Sequence, residues 1–510
     1  MVWSLAGYGW PLLLSFIATP FIVTRLGEQL FGIYVLSGFV LTYFAFVEFG
    51  LGAAATKYIA EHRAEGNTPG IVETFWTGLA WVGGAGAVAV AVVLPLAHPL
   101  VVGPLRLPPA LQSTAAHAVA ISAGMFAAVL GCSLTTGTLR AFGRFSALNR
   151  SSMLVGTAQI GSTVGLLWLG GSIQVVMLAQ ALCHLALFLW QFRLCLRTFP
   201  ALRAPRVTRA TLARLLRYGL GPTGMSFTGP LLAHVDKLLL TRYASIGLLT
   251  YYAVPFSLVE RLGLIPSAFG AVLFPSYSFH GLKSPDISRD LHYRGTLYIA
   301  VAYGFFASFL VALGQPFLTA WLGAEFGARS GRILAILAGA STLSAMARPA
   351  VTALQGLGHP ALPLLFHAVE LPFYVPAAFY AVRAYGLEGA AWAFAFRVAL
   401  DAALLHGASA SALGQPLGAY LRLLRVAVPP LAACTAAFWL IRLWDMPLTS
   451  PTVLLLLSGT GLGYVLLLWV SVLDGSTRAL LRSSLSQAGA TGFWWDGGSD
   501  GMTVRKGPDR

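Results

Sequence analysis

Charge is what this chain has least of. Charged residues make up 10% of its 510 positions, against about 25% in soluble proteins. Only 18 residues are acidic. This scarcity excludes a water-soluble fold, because the outer shell of a globule has to be solvated. The hydrophobic share is 57% before glycine is counted, where soluble domains reach about 45–50% with glycine included. Cysteine is scarce too: Cys132, Cys183, Cys195 and Cys434 lie in apolar stretches without CxxC spacing. They read as small core residues, which excludes a disulfide framework or a cysteine metal site. Also missing are GxxxxGK[ST], HExxH and an EF-hand loop. Their absence excludes a P-loop for ATP and the metal chemistry of those motifs. No cofactor and no metal site is expected. A basic leader with a small-residue cleavage site is lacking at the start, so the first apolar run is expected to be retained as a helix.

What the chain has instead is apolar length, with a mean hydropathy of +0.74. A membrane-crossing helix needs about 20 mainly apolar residues. Runs of that kind fall at 3–24, 31–56, 74–102, 114–138, 151–172, 174–196 and 218–240. Seven more fall at 247–275, 295–317, 331–353, 360–382, 386–411, 423–443 and 450–473. The chain is therefore expected to be an all-α membrane protein of about fourteen transmembrane helices, with the boundary at Gly170-Gly171 the least marked. A β-barrel would alternate apolar and polar over about ten residues. Ala85–Leu96 and Leu454–Val472 are instead apolar on every face.

Loop charge orients these spans. With both termini on one side, the segments on that side hold 22 of the 33 basic residues and those on the other side hold 7. The positive-inside rule then makes both termini cytoplasmic and the protein multi-pass in a bacterial inner membrane. Arg25, just after the first span, disagrees locally. The net charge of +15 does not indicate nucleic acid, because the basic residues sit in short segments between apolar runs, next to anionic headgroups.

Arginines and leucines at helical spacing in 200–217 suggest a short interfacial amphipathic helix. It lies midway along the spans. The organisation expected is a bundle over 1–199, a cytoplasmic linker over 200–217 and a second bundle over 218–411. Two further spans follow over 412–473, then a disordered tail over 474–510. A repeat is suggested by Tyr8-Gly9 against Tyr218-Gly219, and by the equal spacing of Tyr34 to His62 and Tyr252 to His280. Repeated halves are a common transporter plan. Segments on the outer side are short, the longest lying around Arg106. This speaks against a membrane glycosyltransferase or ligase with an active site on a long outer loop, so no enzyme is expected.

Some short motifs carry a resemblance. Phe21-Ile22-Val23-Thr24-Arg25-Leu26-Gly27, Phe31-Gly32-Ile33-Tyr34, Glu48-Phe49-Gly50-Leu51-Gly52 and Ala60-Glu61-His62 resemble the start of Wzx-type polysaccharide-export flippases. Those belong to the MOP superfamily with the MATE multidrug exporters and the lipid II flippase. Asp236-Lys237-Leu238-Leu239-Leu240 and Tyr251-Tyr252 are similar to that family's seventh and eighth helices. Two departures stand out: the chain opens straight into a helix without a polar leader, and Glu48 replaces the usual aspartate. The resemblance implies two pseudo-repeated bundles around a central cavity. It also implies flipping of a polyprenyl-pyrophosphate-linked oligosaccharide for surface polysaccharide biosynthesis. A lipid II flippase or a multidrug or cation antiporter of the same superfamily is the alternative. The partners implied are the lipid-linked substrate, the bilayer and polymerase or assembly proteins, with the transporter itself a monomer.

Such a cavity needs cations for pyrophosphate. A charge at mid-bilayer costs at least about 2.5–3.5 kcal/mol, so each should face a cavity or a partner. The candidate cavity cations are Arg261, Arg348, Arg397 and Arg25. The ion-coupling candidates are Glu370, His367, Glu48 and Asp401. Each has a plainer reading. Arg397 and Asp401, at i and i+4, would pair within one helix, Glu48 would hold Arg25, and Lys237 would snorkel to the interface. His184, His234 and His406 read as hydrogen-bonded core histidines. Pro255 and Pro266 should let the eighth span bend.

Overall fold

The computed structural model describes residues 2–44, 50–280, 284–359, 361–444, 446–473 and 478. Fourteen α-helices account for nearly all of them, and no strand occurs among the described residues. In order they are α1 (Val2–Phe44), α2 (Leu51–Ala64), α3 (Thr68–Val102), α4 (Pro109–Ala141), α5 (Phe145–Trp168), α6 (Ile173–Thr198) and α7 (Arg209–Tyr243). Then come α8 (Ile246–Leu262), α9 (Leu264–His280), α10 (Pro285–Leu322), α11 (Ala324–Gly356), α12 (Ala361–Leu413), α13 (Leu417–Leu443) and α14 (Pro451–Ser471).

Helices and membrane crossings do not correspond one to one. With 43 residues in α1 and 53 in α12, straight helices would run about 65 and 80 Å, far beyond the roughly 30 Å of hydrocarbon. Each contains one glycine with a non-helical backbone: Gly27 (φ 70°, ψ 172°) and Gly386 (φ 56°, ψ −125°). Side chains lacking a Cβ penalty alone adopt these angles freely. In α12 the chain turns back on itself there, since His367 Nε2 lies 3.7 Å from Asp401 Oδ1 and Arg397 Nη1 lies 3.8 Å from Glu370 Oε2. The two limbs touch so closely that a Cβ on Gly389 would stand 1.9 Å from the Ala381 carbonyl oxygen. In α1, Ser15 and Tyr34 come from opposite limbs and line the same cavity.

The eighth span is built from α8 and α9, broken at Gly263. Pro266 is the cause: its ring has no N–H for the Leu262 carbonyl and crowds it. The ladder tightens there, with the Gly263 N–H donating to the Glu260 carbonyl at 2.9 Å. The bend expected at the two prolines thus falls between them. Ten helical stretches are long and apolar enough to cross a membrane. The second limbs of α1 and α12, with α5 and α7, bring the crossings to fourteen. The split at Gly170-Gly171 stands, with Gly170 in the left-handed region (φ 80°).

The linker differs from its expected form. Pro200–Arg203 is a single 3-10 turn, and helix begins only at Arg209, as the first turns of α7 itself. Thr208 caps it by accepting from the Thr211 N–H at 3.3 Å. The segment is docked on the start of α3: the Trp76 indole donates to the Leu202 carbonyl at 2.7 Å, and Arg206 lies 3.4 Å from Glu73. Leucines that suggested an interfacial helix are therefore used in packing, Leu202 and Leu215 being buried.

In the first part of the chain α3 packs on α4, α4 on α6, and α1 on α5; in the second, α10 packs on α11, α11 on α12, and α12 on α7. The two groups meet chiefly where α1 lies on α8. α13 packs on α10 and carries α14, which reaches back through the Tyr464 hydroxyl to the Val301 carbonyl at 2.8 Å. The connections α2–α3, α4–α5 and α6–α7 share one end of the molecule, called here the basic end. At the opposite end, exposed Trp168, Tyr243, Tyr385 and Trp444 flank the reversals, as aromatic residues do at a membrane–water interface.

The Gly386 geometry lies in a region that costs a non-glycine residue about 1–3 kcal/mol. Gly386→Ala should lower the melting temperature of the purified protein. Gly407→Ala, with open space around it, should leave it unchanged or higher. Equal melting temperatures for the two variants would contradict the reversal.

Candidate functional site

Three neighbouring cavities in the interior share wall residues. The first, of about 380 Å³, is enclosed by α7–α12 and lined by Glu260, Arg348, His367, Arg397 and Asp401 among others. The second, of about 210 Å³, lies between α1, α7 and α8 and includes Tyr34, Lys237, Glu260 and Arg261. The third, of about 280 Å³, lies between α1, α5 and α6 and includes Ser15, Tyr34, Gln159, Thr163 and Gln180. Phe256 and Glu260 line the first two; Ser15, Ile22 and Tyr34 line the last two.

The α12 hairpin places most of the charge. Arg397 does not pair with Asp401 on its own limb. Instead the bonds cross: Arg397 to Glu370 at 3.8 Å, and Asp401 to His367 at 3.7 Å. Arg397 also lies over the rings of Tyr374 and Phe394, at 5.5 and 5.3 Å. Both ion pairs are long for hydrogen bonds, and Arg397 Nε and both Glu370 oxygens have no hydrogen-bond partner among the described residues. Glu370 is only 1% exposed. His367 and Glu370, two of the ion-coupling candidates, are thus each held by the other limb.

Arg348, on α11, faces the same cavity and is exposed. Its guanidinium makes no hydrogen bond or ion pair among the described residues. Arg261 lies on the wall between the two groups of helices, where its Nη2 donates to Ser15 Oγ at 3.0 Å. Its buried Nη1 has no hydrogen-bond partner among the described residues. Glu260, its neighbour, turns toward both the first and second cavities, as adjacent helical positions about 100° apart allow.

Arg25 is not gathered with these cations. It is exposed near the Gly27 reversal, stacks over Phe21 at 5.5 Å, and borders a different cavity beside Gly170 and Gly171. Glu48 lies outside the described residues. Of the core histidines, His184 is hydrogen-bonded as expected, its Nδ1 2.9 Å from the Gln180 carbonyl, while His234 stacks on Phe39 at 4.6 Å. His406 packs edge-on against Tyr420 and His292, and its buried Nδ1 has no hydrogen-bond partner among the described residues.

Lys237 overturns its sequence reading. It does not snorkel, being 1% exposed. Its Nζ lies 3.4 Å from Asp236 Oδ1 and 3.3 Å from the centre of the Phe256 ring, a buried cation–π contact. The Tyr252 hydroxyl donates to the other Asp236 oxygen. The missed signal was depth: Lys237 stands six residues before the end of α7, about 9 Å along the axis. The neutral residues Gln159 and Gln180 were also missed, because a search for intramembrane charge passes over amides.

Leaving one buried charge without its partner costs about 3–5 kcal/mol, whereas removing both together is often tolerated. Asp236→Asn and Lys237→Met should each lower the melting temperature and folded yield in detergent. The double variant should recover part of both. A double variant as unstable as the sum of the singles would refute the pairing.

Comparison with known proteins agrees with this geometry. The family described as "Polysaccharide biosynthesis protein" matches residues 1–279. A relative from Shigella flexneri, named "Putative O-antigen transporter", is 23% identical over 407 residues, covering 79% of this chain and 96% of its own length. Among solved structures, the lipid II flippase MurJ in an inward closed conformation superposes with a TM-score of 0.70 at 13% identity, over 95% of this chain and 99% of that one. An inward-facing multidrug resistance MATE family transporter of the MOP superfamily reaches 0.66 at 15% identity, over 80% of this chain and 97% of that one. These two likenesses establish the MATE- and MurJ-like fold. The chain is a multi-pass membrane protein, and it belongs to the polysaccharide biosynthesis protein family.

Proposed function

We propose that this transporter flips a polyprenyl-pyrophosphate-linked oligosaccharide across the bacterial cytoplasmic membrane for surface polysaccharide biosynthesis. It works by alternating access between two helical bundles, over 1–199 and 218–411, with both termini cytoplasmic. The observation that carries the reading is the pair Arg261 and Arg348. They line neighbouring interior cavities; the buried Nη1 of Arg261 has no hydrogen-bond partner, and the exposed Arg348 guanidinium makes no ion pair, among the described residues. Unpaired cations inside a membrane protein mark a substrate path, and a pyrophosphate is the anion that two arginines would hold.

The substrate's chemistry supports the same reading. Its polyprenyl tail is at home in lipid, but each unsatisfied polar group of the head would cost several kcal/mol in hydrocarbon. A wet passage between bundles removes that cost while the tail stays outside. Closure at the end opposite the basic end also supports alternating access. There the Tyr251 hydroxyl donates to the Glu28 carboxylate, Thr250 Oγ1 donates to the Glu28 carbonyl at 2.7 Å, and a Cβ on Gly32 would meet the Ile246 carbonyl oxygen at 2.2 Å. The 22-to-7 division of basic residues supports cytoplasmic placement of the basic end. Glu370, Arg397, His367 and Asp401 are the group through which a coupling cation or proton acts. An arginine-rich passage favours an anionic head over the cationic cargo of a multidrug antiporter.

Deleting the gene should cause polyprenyl-linked oligosaccharide to accumulate on the inner leaflet and surface polysaccharide to disappear; normal surface glycan would refute the proposal. A lost hydrogen bond to a charged group is worth about 1.5–3 kcal/mol. Arg261→Ala and Arg348→Ala should therefore each cut export roughly 10- to 100-fold at matched expression, with lysine at the same position partly restoring it.

A further inference from the structure

The cavities differ in kind, and the difference points to a second binding function. The first and second contain Arg348, Arg397, Arg261, Lys237, Glu260 and Asp401. The third, between α1, α5 and α6, has no acidic or basic side chain; its polar groups are the amides of Gln159 and Gln180 and the hydroxyls of Ser15, Thr163 and Tyr34. We propose that this third cavity is a subsite for an uncharged sugar ring. It would hold the saccharide next to the pyrophosphate while Arg261 holds the phosphate side.

The arrangement is built rather than incidental. Gln180 Nε2 lies 2.6 Å from the Tyr34 hydroxyl and 3.4 Å from Thr163 Oγ1. These bonds fix three side chains from three different helices. They leave the Tyr34 O–H proton and the second polar atom of the Gln180 amide for a ligand. The side-chain amide of Gln159 makes no hydrogen bond among the described residues, although it lies within a membrane-crossing helix, where an unmet amide is costly. Packing alone would favour apolar groups at these positions. A sugar ring offers what such a wall needs: hydroxyls that both donate and accept, and C–H faces for the apolar side made by Pro11, Leu12 and Ile160.

The junction supports the same assignment. Ser15 borders both the neutral cavity and the charged one, and its hydroxyl accepts from Arg261. A head group that places phosphate against Arg261 therefore has its next moiety at the mouth of the neutral cavity. At about 280 Å³, this cavity falls just below the roughly 300–1,000 Å³ typical of small-molecule sites, a scale suited to a single sugar ring rather than a whole oligosaccharide. The inference rests on the flippase reading for the identity of the ligand, but its geometry is separate from the cationic part of the path.

Saturation-transfer NMR on the purified full-length protein can test it, using the neutral methyl glycosides of galactose and N-acetylglucosamine. Inorganic pyrophosphate binding, measured by calorimetry on the same preparations, is the second readout. At least one neutral glycoside should bind the unaltered protein. Gln159→Leu, which removes an amide with no hydrogen-bond partner among the described residues, and Gln180→Leu should each weaken that binding at least tenfold and leave pyrophosphate binding unchanged. Arg261→Ala should weaken pyrophosphate binding and spare the glycoside. Wild-type binding of pyrophosphate without any glycoside, or glycoside binding indifferent to both glutamine variants, would overturn the subsite and leave the flippase reading standing. Glycoside binding that depends on the glutamines, with no pyrophosphate binding at all, would support the subsite and overturn the flippase reading instead.

Discussion

Hydrocarbon gives a charge no water to lean on, and the interior of this protein is arranged around that fact. Every ionised group placed within the spans has to find a counter-charge, an aromatic face or a wet cavity. Asp236 and Lys237 take the first two solutions at once, closed in by Tyr252 and Phe256. Glu370, Arg397, His367 and Asp401 take the first by pairing across a hairpin. Arg261 and Arg348 are left partly unmet, and for that reason the cavities beside them are the centre of the functional account.

The same constraint explains which features could be read from the residues in order. Fourteen crossings follow from hydropathy, because a buried backbone in lipid must be helical and must be about as long as the bilayer is thick. The reversals at Gly27 and Gly386 fall where the apolar runs divide, beside Arg25, Glu28 and Gln29 in the first case and Arg383 and Glu388 in the second. What the residues do not reveal is that a single glycine makes each turn inside what is otherwise continuous helix. The linker was misjudged for a different reason. Amphipathic spacing says that a segment has an apolar face, but not whether lipid or protein covers it, and here α3 does.

Side-chain partnerships were the least legible. Arg397 and Asp401 lie one turn apart, and neighbours on a helix are the only contacts that spacing alone can propose. Their actual partners, Glu370 and His367, arrive from the other limb of α12, through the turn at Gly386. Lys237 looked like an interfacial lysine because depth within a helix is judged from helix ends, and those are the least certain boundaries in a sequence. Uncharged amides such as Gln159 and Gln180 do not register in a search for intramembrane charge. Only the cavity they share gives them meaning.

The single-glycine reversals have a further consequence for the surface of the molecule. At the end opposite the basic one, Gly27, Gly323 and Gly386 each join two crossings with almost no intervening chain. The residues around Gly103–Pro108 and Pro447–Ser450 form the more extended connections there. An antibody, a phage tail fibre or a protease approaching from that side would meet aromatic rims and helix ends, with little free backbone to grip. Epitope tags and reporter insertions belong in those two connections, because an insertion at a glycine reversal would break the hairpin that sets the charges inside.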